Sequence, residues 1–342
     1  MLLDLWSVDR KLLPPIGPGG RPAAPLRAYG KLELAPEYVD VGCDDRPEAR
    51  KVRAWIGDGC KQLEPLFGKD PLRLASHRIV LTLDGGRVWA VACLWNSRDR
   101  RSDQDSQRSF PFVLFVLVPS PRRKPRLSRA GVYCEPLWSQ LEHMYPTVTE
   151  AADRTECAAL IRRQAVVVDS AREAAETDPL AAAEQIPVGQ WLDGLGVGDE
   201  RLSEVFLGEL RWHVVESRLG GVGGRAWRFP LAEGLDTLGQ MGGWLTWLER
   251  NLGEMPADFA LFLPTEPSVR LRQLGILLRK VRAADFVGLS ADPGHVDRVL
   301  GPGLIGSGTS SPGSGGMKVP LECRTLADFA RWVLGGAAHA GR

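Results

Sequence analysis

Two apolar runs dominate the pattern along the chain, Arg87 to Ser97 and Arg108 to Val118, on either side of a polar, charged loop from Asn96 to Ser109. In the first run both alternating sets, Val88/Ala90/Ala92/Leu94 and Trp89/Val91/Cys93/Trp95, are apolar. A strand with two apolar faces is covered on both, which puts it in the middle of a sheet with helices on either side. The second run reads the same way, with Pro111 near its start, where a missing N–H does least harm to a ladder. The pattern predicts an α/β (α+β) chain with a central mixed, largely antiparallel sheet covered by helices on both faces.

Around this centre the other elements fall in order. Residues 1–27, rich in Pro and Gly, read as a disordered tail. Lys31 to Val41 alternates as a first strand with a turn near Pro36. A helix starts at Asp45-Arg46-Pro47-Glu48, carries Val52, Trp55, Ile56 and Leu63 on one face, and is expected to kink at Gly57-Asp58-Gly59. Arg78 to Leu83, Asp84-Gly85-Gly86 and the Val88 run make a hairpin. Residues 28–130 thus form an N-terminal sheet region and 131–219 a helical region, broken at Gly194 to Gly198. Residues 225–335 form a C-terminal α/β region packed with the first. There, strands are expected at 226–229, 259–263 and 284–290. Helices are expected at 238–252 behind Asp236, at 271–281, and at 326–333 behind a capping box at Thr325. Gly301 to Gly316 reads as a flexible loop.

Composition removes several classes of function. A net charge of +1 gives no general pull toward nucleic acid or anionic lipid. The basic run at 122–126 reads as a solvated connection. The longest apolar run, Phe110 to Val118, falls far short of the ~20 residues that span a bilayer, and the acid at Asp4 interrupts any signal h-region. Six scattered cysteines without a CxxC read as reduced thiols, with Cys93 a small buried hydrophobe. A soluble cytoplasmic protein is expected.

Candidate chemistry is sparse. There is no phosphate loop, no HExxH and no G-x-S-x-G elbow, and the five histidines stand alone. The glycine stretches 194–198 and 220–224 lack a clear strand–turn–helix setting. Asp40, Asp44 and Asp45 invite a metal, yet capping and solvation explain them more simply. Neither a catalytic set, a metal nor a cofactor is expected. The tryptophans lie mostly on periodic apolar faces; Trp247, off its helix's stripe, is the candidate for exposure.

The order of short motifs is more telling. Tyr29-Gly30-Lys31-Leu32 opens the ordered chain and Trp55 follows on a helix. Trp95-Asn96-Ser97-Arg98-Asp99 and Arg108-Ser109-Phe110-Pro111-Phe112 then flank the polar loop. In this the chain resembles the TagF family of type VI secretion-associated proteins. That family begins with a Gly-Lys-Leu-Pro-type strand and a Trp-bearing helix. It carries a Ser-x-Asp-x-x-Gly-Arg-x-(Phe/Tyr)-Pro run between two buried strands. Gly30, Lys31 and Leu32 match the opening; Ser97, Asp99, Arg108, Phe110 and Pro111 match the run. Glu33 replaces the family's proline, and residues 100–107 interrupt the run, whose glycine is missing, so the chain is identified as a divergent member.

The resemblance implies a cytoplasmic, non-enzymatic regulator that holds a type VI secretion system off by binding a forkhead-associated scaffold protein or another component. It marks Gly30, Lys31, Trp55, Ser97, Asp99, Arg108, Phe110 and Pro111 as motif or partner-binding residues. Ser97, Asp99 and Arg108 can equally fix their own loop through charge-assisted hydrogen bonds. The alternatives are a nucleotide- or small-ligand-binding enzyme using 194–198 or 220–224, and a generic adaptor with a trafficking-type fold.

Overall fold

The two apolar runs pair with each other along their whole length. A computed structural model describes residues 22–32, 35–67, 74–98, 109–121, 126–220, 226–253, 255–265, 273–290, 318–319 and 322–332. In it β5 (Val88–Arg98) and β6 (Ser109–Pro119) lie antiparallel, from Val88 opposite Pro119 to Arg98 opposite Ser109. On one side β6 pairs with β2 (Arg27–Leu32), which pairs in turn with the edge strand β3 (Ala35–Val41). On the other side come β4 (His77–Leu83), β9 (Ala260–Pro264), β10 (Gln273–Leu277) and β8 (Ala226–Pro230), giving the order β3-β2-β6-β5-β4-β9-β10-β8. Every pairing is antiparallel. The fold is α+β, and the expected mixture of strand directions resolves to antiparallel alone.

The alternation read from β5 and β6 separates two cores. Trp89, Val91 and Cys93 with Phe112, Leu114, Val116 and Val118 face one. Val88, Ala90, Ala92 and Leu94 with Val113, Phe115 and Leu117 face the other. The second core is closed by α1 (Pro47–Phe67) and a 3-10 segment, Ala283–Leu289. The first lies under the larger helical layer: α2 (Ala130–Thr149), α3 (Arg154–Arg163), α4 (Asp169–Ala175), α5 (Val188–Gly194), α6 (Glu200–Gly220), α7 (Thr237–Leu252) and α8 (Leu326–Arg331). A two-stranded pair of Ala23–Pro25 (β1) with Ala165–Val167 (β7) ties the first described residues to this layer.

Several expectations change. The predicted tail ends earlier than residue 27: Ala23 to Pro25 is a strand, with Ala23 and Ala24 buried. The single strand over 31–41 is two, β2 and β3, joined through residues 33–34. Helix α1 runs through Gly57 and Gly59 without a break. Both glycines serve close approach, since a Cβ at 59 would strike the Phe286 ring and one at 57 would press on the Tyr29 hydroxyl. The stretch expected as a helix over 271–281 is β10, because Leu274, Ile276 and Leu278 satisfy a period of two as well as Leu271, Leu274 and Leu278 satisfy one of 3.6. The strand expected at 284–290 is the 3-10 segment. There the Asp285 carboxylate accepts from the Arg282 amide at 2.7 Å and from both Arg279 guanidinium nitrogens at 2.6 Å.

Trp247 is fully buried rather than exposed. Twelve of the sixteen residues of α7 are buried, the polar Gln240, Thr246 and Asn251 among them, so the helix is enclosed on nearly every side. Phe329 of α8 stacks on Trp247 at 6.4 Å and closes the outward side. The helix begins, as expected, on Asp236, which accepts from the Gly239 amide at 2.7 Å. Thr325 and Asp328 form the expected capping box of α8.

Candidate functional site

Five of the eight residues singled out by the sequence, Gly30, Lys31, Ser97, Phe110 and Pro111, gather at one corner of the sheet, at the end where β5 leaves and β6 enters. Gly30 lies opposite Phe112, and Ser97 opposite Phe110. Gly30 has a φ of +136°, which L side chains rarely adopt, and a Cβ there would overlap the Pro111 carbonyl oxygen. The glycine therefore lets β2 press directly on the Pro111 backbone. Next to it β2 and β3 shift register between Gly30 and Leu32. That irregularity brings the Lys31 ammonium over the Phe110 ring at 4.0 Å and within 5.2 Å of the Tyr38 ring. A cation over an aromatic face is held by the ring quadrupole, worth about 0.5–1 kcal/mol where water still reaches it.

Aromatic surface spreads from this pair in both directions. Tyr38, on the edge strand, is 37% exposed and stacks on Tyr29 at 5.5 Å. Burial raises the Tyr29 phenol above its ordinary value, against the opposing pull of Arg53. On β5 the half-buried Trp95 stacks at 4.0 Å on Tyr145 of α2, which also approaches Phe112 at 6.2 Å. Behind it Asn96 Oδ1 is buried without a hydrogen-bond partner among the described residues. The Trp95–Tyr145 stack packs against the first core and Tyr29 against the second, so the two aromatic pairs lie on opposite faces of the sheet, and the ring-and-cation surface this corner offers to another protein is that of Lys31, Phe110 and the exposed Tyr38.

The sequence placed Ser97 on the displayed loop, but it lies in β5 and is buried. Asp99 and Arg108 lie outside the described residues, so their expected network with Ser97 does too. Trp55 is away from the corner. It stacks on Phe262 of β9 at 6.1 Å and donates its indole N–H to the Arg282 carbonyl at 3.0 Å. Between β9 and β6 stand β4 and β5. Tyr38, Trp95 and Tyr145 were not singled out, because nothing local in the sequence tells that β3 is an edge or that α2 ends above β5.

Trp55 borders a separate cavity of about 450 Å³ beside the β4–β5 turn, lined also by Lys51, Asp58, Leu81, Leu83, Asp84, Asp258, Lys280 and Val281. Asp58 is paired with Lys61 and Asp84 with Arg87. Asp258 Oδ1 is buried without a hydrogen-bond partner among the described residues.

The other candidates have structural partners. Arg53 binds Asp40 at 3.1 Å and Asp44 at 2.6 Å, and Arg27 binds Asp45 at 2.9 Å. Among the described residues no group of three or more His, Cys, Asp or Glu side chains is placed to hold a metal ion. Gly194 to Gly198 turns the chain from α5 into α6, with Gly196 at a φ of +73°, and no strand feeds it. Gly220 ends α6, and 221–224 lie outside the described residues, as do 122–125 and 301–316. No helix among the described residues is long and apolar enough to cross a membrane.

These features define the class by architecture: an α+β protein with an eight-stranded antiparallel sheet between unequal helical layers. No family model matches the sequence, and no curated protein does. A crystal structure of PA0076 from Pseudomonas aeruginosa PAO1 is similar at a TM-score of 0.34 and 13% identity, covering 81% of this chain and 95% of that one.

Proposed function

We propose that this protein is a cytoplasmic, non-enzymatic regulator of a type VI secretion system. It would repress assembly or firing after translation by binding a forkhead-associated scaffold protein or another component of the apparatus. The observation that supports the reading is the convergence of Gly30, Lys31, Ser97, Phe110 and Pro111, drawn from three separate stretches, on one aromatic, cation-bearing sheet corner.

Affinity purification of the tagged protein from its host, beside a Lys31→Glu/Phe110→Ala variant, tests it. The wild type should recover secretion components, and the variant at least about tenfold less at an unchanged melting temperature. A wild type that brings down no secretion component would sink the reading; equal recovery by both would keep the function and move the surface. A second reading, a small-ligand protein, is favoured by the Trp55 cavity with its unpartnered Asp258 oxygen. It requires a thermal shift against a nucleotide and metabolite panel, since a ligand at 100 times its Kd stabilises by about 2.7 kcal/mol.

A further inference from the structure

The cavity beside Trp55 carries charged groups that the fold itself does not use. Trp55, Leu83 and Val281 give it apolar walls, and its volume of about 450 Å³ is that of a small-ligand site. Two of its acids, Asp58 and Asp84, are each matched three residues further on, by Lys61 and Arg87. Three other charged side chains there, Lys51, Asp258 and Lys280, make no ion pair with another described residue.

Asp258 is the odd residue of the three. Phe259 and Leu261 belong to the first core, Ala260 and Phe262 to the second. The alternation therefore turns Asp258 toward the second core, at a position where an apolar side chain is the norm. Thr82 fastens this stretch to β4: its amide donates to the Phe259 carbonyl at 3.0 Å, and its hydroxyl accepts from the Phe259 amide at 2.6 Å. Asp258 is half-buried, and its Oδ1 is buried without a hydrogen-bond partner among the described residues. A ligand that covered this carboxylate without donating to it would leave a desolvated charge unpaired. The occupant therefore brings an N–H donor, and an ammonium bonds a carboxylate about twice as strongly as a neutral donor does. The two lysines stand on other elements. Lys51 is one turn before Trp55 on α1, and Lys280 follows β10. Both are exposed and free to close on an anionic group.

We propose that this cavity binds a free α-amino acid with a large apolar side chain. The ligand's ammonium donates to Asp258, its carboxylate is met by Lys51 and Lys280, and its side chain lies against Trp55, Leu83 and Val281. The proposal rests on the second reading above, of the cavity as a small-ligand site, and names the class of ligand. A plain carboxylate would leave Asp258 unsatisfied, and a plain amine would leave both lysines without a counter-charge. A zwitterion with an apolar body uses both signs and the walls at once.

Isothermal titration of the full chain with L-tryptophan, tryptamine, indole-3-propionate and L-alanine separates these contributions. L-Tryptophan should bind with a Kd below about 1 mM, and each of the other three at least about tenfold more weakly. Asp258→Asn should weaken L-tryptophan at least about tenfold and leave indole-3-propionate unchanged. Lys51→Met/Lys280→Met should weaken L-tryptophan by at least about as much and leave tryptamine unchanged. Any of the other three compounds binding the wild type as tightly as L-tryptophan overturns the proposal, and so does L-tryptophan binding indifferent to both variants. A wild type that binds none of the four up to about 10 mM overturns it too. If a nucleotide or metabolite of the thermal-shift panel then still binds, and Asp258→Asn removes that binding, the amino acid falls and the small-ligand reading stands. If nothing binds, both fall.

Discussion

Gly30 is held in a left-handed conformation hard against the Pro111 carbonyl, so its role is steric. The Gly30→Ala variant is expected to lose roughly 3 kcal/mol or more, from backbone strain and the displaced β2–β6 contact together, read from a urea unfolding midpoint. His77, fully enclosed at the start of β4, donates Nδ1–H to the Ala75 carbonyl at 2.7 Å. Burial pulls its pKa from 6.5 down to about 4, against the weaker opposing effect of that bond. A base whose folded pKa is depressed binds its proton first in the unfolded chain. Stability is therefore fully present above 6.5 and falls as pH drops toward about 4. The loss approaches about 3 kcal/mol at the low end, and His77→Gln should flatten that part of the pH profile; an unchanged slope would assign the loss to carboxylates. Burial of Cys93 was legible because its strand is apolar on both sides of it. Burial of Trp247 was not, since the ring that covers it comes from Phe329, about 80 residues away in the chain.

At the scale of elements, the hairpin β4–β5, the strand β6, the capped start of α7 and the capping box of α8 were all visible, because each rests on contacts within a few residues. The 271–281 stretch was misread for a physical reason: six apolar residues with mixed spacing suit either period, and pairing with β8 and β9 on both sides decides for the strand. The fit of α2 to the sheet is equally non-local. Arg78 of β4 grips Glu142 with two bonds of 2.8 Å and Glu135 with one of 2.6 Å, its guanidinium 5.6 Å from the Trp138 ring centroid. Arg78→Met should cost about 2–3 kcal/mol, less than for a fully enclosed pair, because two carboxylates are left half-buried without their cation. Arg78→Lys should restore little, since an ammonium cannot make the fork. A loss below about 0.5 kcal/mol on urea unfolding would mean the network is an ordinary surface cluster.

For the molecule as a whole, the regions 28–130 and 225–335 share a single sheet across the β4–β9 seam. The full chain should therefore unfold in one cooperative step. A chain ending at residue 220 should aggregate rather than fold, because removing β8, β9 and β10 bares β4 as an edge and uncovers the Trp244 cluster's partners. A soluble truncated protein with a sharp melting transition would show that the N-terminal part is independent. By itself the sequence determined what depends on near neighbours: two-faced central strands, an α+β class, capped helices and a set of motif residues. Only the tertiary structure decided that β9 completes the sheet beside β4, that Trp55 packs on Phe262 of β9 and not at the corner where Gly30, Lys31, Ser97, Phe110 and Pro111 meet, and that α6 keeps apolar side chains exposed. Those facts depend on residues far apart in the chain coming together, and no local periodicity encodes which distant partner each strand or helix will find.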